Sequence, residues 1–139
     1  MKLKFFFLLV FSFLIINSSL LITHATVRFV SKSGTSTPPY TSWATAADSI
    51  QKCINICVDG DTVYVANGVY KENLVINTAI SLIGSSMDST VIDGRGMGDI
   101  TINCNANLIL QGFHLYGKAS GLGGAVILSL DSLDIKNCI

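Results

Sequence analysis

Leu74-Val-Ile76-Asn77, Ile100-Thr-Ile102-Asn103 and Ala125-Val-Ile127-Leu128 are three versions of one short apolar segment. Each is followed by a second segment: Ile80-Ser-Leu82-Ile-Gly84, Leu108-Ile-Leu110-Gln-Gly112-Phe113 and Leu133-Asp-Ile135-Lys-Asn137-Cys138. Between the last two units a single offset of 25 places Ile100 on Ala125, Leu108 on Leu133, Gly112 on Asn137 and Phe113 on Cys138. Between the first two units the leading segment steps by 26 and the second by 28, with Thr78-Ala79 read as a shorter link than Cys104-Asn-Ala-Asn107. A fixed period of this size is the signature of a stacked array.

The repeating segments are extended. Their apolar residues alternate at 74/76, 80/82, 100/102, 108/110, 113/115 and 133/135, which puts them on one face of a strand. Ile, Val and Leu suit a pleated surface. The links are too short for helical crossovers. Short strands that stack period on period satisfy their backbone groups by pairing each strand with its counterpart one coil away. The expected fold is therefore all-β, a parallel β-helix with three short strands per coil. Gly112 and Asn137 share a register between two apolar strands, and both residue types tolerate the left-handed conformation that turns a chain sharply.

Leu108-Ile-Leu-Gln-Gly-Phe-His-Leu115, Gly123-Gly124-Ala-Val-Ile127 and Leu133-Asp-Ile-Lys-Asn-Cys-Ile139 resemble the coils of right-handed parallel β-helix proteins with the pectin-lyase fold. The run from Ser42 to Ile76 is similar to the opening of many bacterial secreted β-helix proteins and, more distantly, of pectinesterases. It carries an N-terminal helix, a Gly60-Asp-Thr-Val-Tyr-Val65 strand and a Gly68-Val-Tyr-Lys-Glu-Asn73 entry. In those families this part is a structural cap. The resemblance implies a right-handed solenoid; the fold hosts lyases, hydrolases, esterases and non-enzymatic surface proteins alike, so it does not imply one activity.

Residues 1 to 25 read as an export signal. Lys2 and Lys4 precede an apolar core from Phe5 to Ile16, and Thr23-His-Ala25 offers small residues for cleavage after Ala25. The alternative is an uncleaved anchor, against which Asn17, Ser18 and Ser19 interrupt the span. Localisation is then secreted, extracellular or cell-surface. Without Lys2 and Lys4 the remaining chain has seven basic and nine acidic residues, a net charge of −2, which is not the balance of a nucleic-acid binder. No later apolar stretch is long enough to span a membrane.

Residues 26–73 form the expected N-terminal cap. Thr26-Val-Arg-Phe-Val30 alternates as a strand, and the polar Ser31–Ser42 segment with Pro38-Pro39 is a loop. Trp43, Ala46, Ala47, Ile50, Ile54 and Cys57 follow at helical spacing, predicting a helix over 43–58 capped by Thr41 or Ser42, with these residues on its buried face. A strand follows over 62–66. The coils then occupy 74–139. Because no residue after Ile139 closes the last coil, the chain is expected to be the N-terminal part of a longer protein.

The chemistry on offer is sparse. In pectin-lyase-fold enzymes the substrate groove runs along the outer face of the first sheet. In the register above, its outward positions are Val75, Asn77, Thr101, Asn103, Val126 and Leu128, none of them ionisable. Lyases need a base and a cation site; hydrolases need two carboxylates. No catalytic residue is assigned. The ligand-contact candidates are His114, Tyr116, Asp134 and Lys136, an aromatic and polar set on the outer surface that suits sugar contact, with an ordinary solvated face as the plainer reading. Asp88, Asp93 and Asp99 read as turn residues; together they would be a Ca²⁺ site, but their spacing does not require one. No other cofactor or metal is implied. Cys53 and Cys57 lie one helical turn apart, where disulfide geometry is poor. The first functional expectation is a secreted or surface-displayed β-helix module with structural, adhesive or glycan-binding roles and an extracellular polysaccharide as partner. The second is the N-terminal part of a polysaccharide-active enzyme, a lyase or pectinesterase-like protein whose catalytic residues lie beyond Ile139. The third is a short chain that completes its fold by assembling with another.

Overall fold

A computed structural model describes residues 24–117 and 125–139, with only the backbone of Ala125. The export segment and Gly121-Leu-Gly-Gly124 lie outside the described residues, apart from residues 24 and 25. Eleven strands and one short helix are described: β1 (Val27–Val30), α1 (Ile50–Ile54), β2 (Thr62–Val65), β3 (Gly68–Tyr70), β4 (Leu74–Ile76), β5 (Ile80–Gly84), β6 (Thr90–Asp93), β7 (Ile100–Cys104), β8 (Leu108–Gln111), β9 (His114–Tyr116), β10 (Ala125–Ser129) and β11 (Leu133–Lys136).

The strands are dealt in rotation to three sheets. One has the order β1-β2-β5-β8-β11, the second β3-β6-β9 and the third β4-β7-β10, and the pairings are parallel throughout. The fold is thus mostly β, with each inner strand of a sheet bonded to the strands on either side of it and each end strand to one. The inward residues form one column of apolar side chains, including Val63, Leu82 and Leu110 from the first sheet, Tyr70 and Ile92 from the second, and Leu74, Ile76, Ile102 and Cys104 from the third. Phe113, at the bend between β8 and β9, is fully buried among them.

The offset of 25 holds at β10 and β11, where Ala125 pairs with Ile100 and Leu133 with Leu108. The step of 26 does not hold. Leu74 pairs with Ile102 and Ile80 with Leu108, so both segments step by 28. The links are equal in length, and Asn77 and Asn105 occupy the same place in successive repeats, with Asn105 Nδ2 donating to Asn77 Oδ1 at 2.8 Å. A two-residue slip keeps every side chain on its own face, so alternation alone does not detect it.

Gly112 and Asn137 both adopt the left-handed conformation, with φ of 75° and 48°. They turn the chain at the same place in successive repeats.

The helix differs from the expected 43–58. It covers five residues, Ile50–Ile54, and its N-cap is Ser49, whose side chain accepts from Lys52 N. The reason is a distant carboxylate. Glu72 accepts from Ile50 N at 2.9 Å, Gln51 N at 3.0 Å and Ser49 Oγ at 2.8 Å, filling the orphan donors at that point. Residues 44–46 instead pair with residues 35–37, Thr35 N donating to Ala44 O, Ser36 N to Ala46 O and Thr37 N to Thr45 O, while Tyr40 and Ala47 reach β1: Phe29 N donates to Tyr40 O, Ala47 N to Phe29 O and Ser31 N to Ala47 O. The Gln51 side chain in turn pairs with the free edge of β4, accepting from Val75 N at 2.8 Å and donating to Val75 O at 3.1 Å. Unpaired strand edges are thereby satisfied by a loop and by one amide. No helix among the described residues is long and apolar enough to cross a membrane.

Candidate functional site

Alternation in the five-stranded sheet sends one set of residues inward and exposes two parallel rows on the outer face. One row runs Val27, Thr62, Ser81, Ile109, Asp134; the other runs Phe29, Tyr64, Ile83, Gln111, Lys136. Strands stack about 4.8 Å apart, so five rungs give a face about 19 Å long. Along one side of it lies an open groove of about 420 Å³, lined by Ala79, Ser81, Asn107, Ile109, Ser132 and Asp134, with Gly60, Ile80 and Leu108 completing it. The lining mixes aliphatic surface with hydroxyl, amide and carboxylate groups.

Asp134 and Lys136 fall on this face. They bond to each other at 2.7 Å, and with side chains about half exposed the pair is worth little to stability. Its consequence is electrostatic: the charges at this end of the face neutralise one another.

His114 and Tyr116 lie on a different sheet, on β9. Their rings stack at 4.5 Å, and the Arg95 guanidinium sits 4.2 Å from the Tyr116 centroid. Arg95 also grips Asp93 with two bonds, Nε to Oδ1 at 2.8 Å and Nη2 to Oδ2 at 2.9 Å. That bidentate hydrogen bond, against a smaller opposing effect of desolvation, holds the Asp93 carboxyl down at about 2. Asp93 is therefore no solvated turn residue; it ends β6 and is buried. The four candidates form two pairs on two sheets rather than one constellation. His114 is only partly buried and its ring rests on Tyr116. His114→Ala is expected to change stability by less than about 0.5 kcal/mol. A stability loss several times that amount in a urea melt would place the ring in the core.

Thr101 alternates with the core residue Ile102, as expected of an outward position, but it is covered. It is 2% exposed, its hydroxyl donating to Tyr116 O at 3.3 Å beneath Gly94 and Gly117. Among the described residues no group of three or more His, Cys, Asp or Glu side chains is placed to hold a metal. The four cysteines are free thiols. A hydrogen bond with Cys57 and then burial push the Cys53 thiol up.

One feature of the outer face was not anticipated from the pattern. Trp43 is 47% exposed rather than buried on a helix. Its ring lies 4.6 Å from that of Phe29 at 56°, and Phe29 lies 6.1 Å from Tyr64 at 23°. Tyr64 is 39% exposed. Three aromatic rings thus form a surface at the β1 end of the face. Tyr64, between the buried Val63 and Val65, had a legible outward phase; Phe29 did not, because β1 buries Arg28 and Val30 and turns Val27 and Phe29 outward, and nothing local showed that Trp43 would join them. Neither a protein-family model nor a curated protein matches this chain.

Proposed function

We propose that this chain is a secreted or cell-surface module built on a right-handed parallel β-helix, and that its long outer face serves a structural, adhesive or glycan-binding role. The rotation of strands among three parallel sheets supports the solenoid reading. The 31–49 loop and α1 act as its N-terminal cover, and the basic-then-apolar leader as its export signal. The observation that carries the glycan-binding role is the composition of the outer face of the five-stranded sheet. Apolar and aromatic surface alternates there with Thr62, Ser81, Gln111 and Asn107, and the charged pair Asp134–Lys136 is self-neutralised. A pyranose needs that mixture, an apolar face with hydrogen-bonding groups at its rim.

The test is depletion of the full chain from solution by a panel of insoluble neutral and acidic polysaccharides, with folding verified by circular dichroism. Binding to at least one member is expected. A folded protein that stays in the supernatant with every polysaccharide rejects the glycan-binding role.

A further inference from the structure

We infer that Trp43, Phe29 and Tyr64 form a stacking subsite for the pyranose rings of a neutral polysaccharide, an inference that rests on the glycan-binding reading above. Sugar C–H groups carry partial positive charge, and aromatic faces carry the negative side of a quadrupole, so a ring laid on a ring gains both contact and electrostatics.

Three observations point to a ligand of this size and charge. The first is area. Aromatic side chains present roughly 150–250 Å² each. At 47% and 39% exposure, Trp43 and Tyr64 offer about 200 Å² between them. A protein partner needs about 800 Å² per side. Two or three sugar units match the smaller figure. The second is charge. Along the row Phe29, Tyr64, Ile83, Gln111 there is no ionised group, and the first one met, Lys136, is already bonded to Asp134. An acidic polymer would find no cation free to receive it on this row, whereas a neutral chain loses nothing. The third is preorganisation. Trp43 sits on a segment whose backbone is held on both sides: Thr35 N donates to Ala44 O at 2.9 Å, Ser36 N to Ala46 O at 3.0 Å and Thr37 N to Thr45 O at 3.1 Å, while Ser42 Oγ accepts from Thr45 N at 3.2 Å. A surface fixed before binding loses little entropy on binding. The row then leads from the rings to the Gln111 amide, so a chain running along the stack of strands passes from stacking to hydrogen bonding.

Trp43 is the only tryptophan in the chain, so its fluorescence reports on this place alone. The full chain is titrated with cellohexaose, a neutral oligosaccharide, and with a hexamer of galacturonic acid. Saturable change in emission with cellohexaose, at least ten-fold weaker with the acidic hexamer, is expected. Tyr64→Ala should weaken the cellohexaose response ten-fold or more. Trp43→Ala, followed by calorimetry, should do the same, while replacement of the exposed Val69 on the β3-β6-β9 sheet, Val69→Ala, retains wild-type affinity. A second measurement, the melting curve of each variant, confirms that the folded form is compared. Equal response to both hexamers, no response to cellohexaose, or unchanged affinity in folded Tyr64→Ala and Trp43→Ala would each overturn the subsite. So would a Trp43 emission change that tracks protein concentration alone, which marks self-association. If the polysaccharide panel also shows no binding, the functional reading falls with it; binding to the panel that survives both aromatic substitutions sinks this inference alone.

Discussion

Asp61→Ala is expected to destabilise the fold by about 3–5 kcal/mol, the cost of leaving one member of a buried ion pair without its partner. Asp61 is fully buried and Arg28 is 8% exposed. The carboxylate accepts from Arg28 Nε at 2.8 Å, Thr26 N at 2.7 Å and Val58 N at 3.1 Å, so its removal strands a guanidinium and two backbone donors together. Arg28 keeps one other bond, from Nη1 to Pro39 O at 2.8 Å. For a domain of this size the loss corresponds to a melting temperature lower by on the order of 10–20 °C. A thermal or urea melt checks it, and a loss under about 1 kcal/mol would mean that the pair is solvated. Replacing both partners with apolar residues, Arg28→Met with Asp61→Leu, should recover a large part of the loss, because neither charge then remains to be desolvated.

The same site sets an acid limb. Burial alone would raise the Asp61 carboxyl, but bonds from Thr26 N, Arg28 and Val58 N together hold it below the ordinary carboxylate value. A lowered folded-state value means that the unfolded chain takes up the proton first as pH falls. The contribution is complete above the unfolded value of about 3.9 and is lost as pH drops through the folded one. The stability gap between wild type and Asp61→Ala should therefore narrow below about pH 4. A gap that stays constant down to pH 2 would contradict the linkage.

Legibility followed signal length. The segments with two inward apolar residues, at 74/76, 80/82, 108/110 and 133/135, declared themselves as strands, and the last two of them carried the 25-residue register. β3 and β6 did not, because each supplies a single inward apolar residue, Tyr70 in one and Ile92 beside the polar Thr90 in the other, and one residue makes no alternation. The slip from 28 to 26 survived because a shift of two preserves the face. The helix was misplaced for a different reason. Its start is chosen by Glu72, more than twenty residues away, and its would-be first turn is drawn off to pair with residues 35–37. Tertiary contacts of this kind override spacing. The candidate site was legible in the same uneven way. The outward phase of Asp134 and Lys136 could be read from β11, whereas the aromatic surface depends on where a loop carries Trp43.

Gly112→Val tests the turn that lets the repeats stack. Two separate penalties meet at this position. The backbone has φ of 75°, where a β-branched side chain is strained by about 1–3 kcal/mol. In addition, a Cβ on Gly112 would stand 2.6 Å from the carbonyl oxygen of Gly84, the equivalent glycine one repeat earlier. Backbone against backbone cannot yield as a side-chain tip does, so the two repeats must separate there, at a further cost of about 1–3 kcal/mol. Gly96 isolates the first penalty. It has φ of 78° and nothing within 4 Å of the place a Cβ would occupy. Gly96→Val should therefore lose only the conformational part, and Gly112→Val more than that by the cost of the close approach. Asn137, which makes the same turn at φ 48°, should accept Gly with little change, since glycine adopts that conformation freely. Denaturant midpoints for the three variants decide the matter. If Gly96→Val and Gly112→Val lose the same amount, the Gly84–Gly112 approach is not a constraint on stacking. If Gly112→Val melts with wild type, the register that places Gly112 over Gly84 and under Asn137 is wrong.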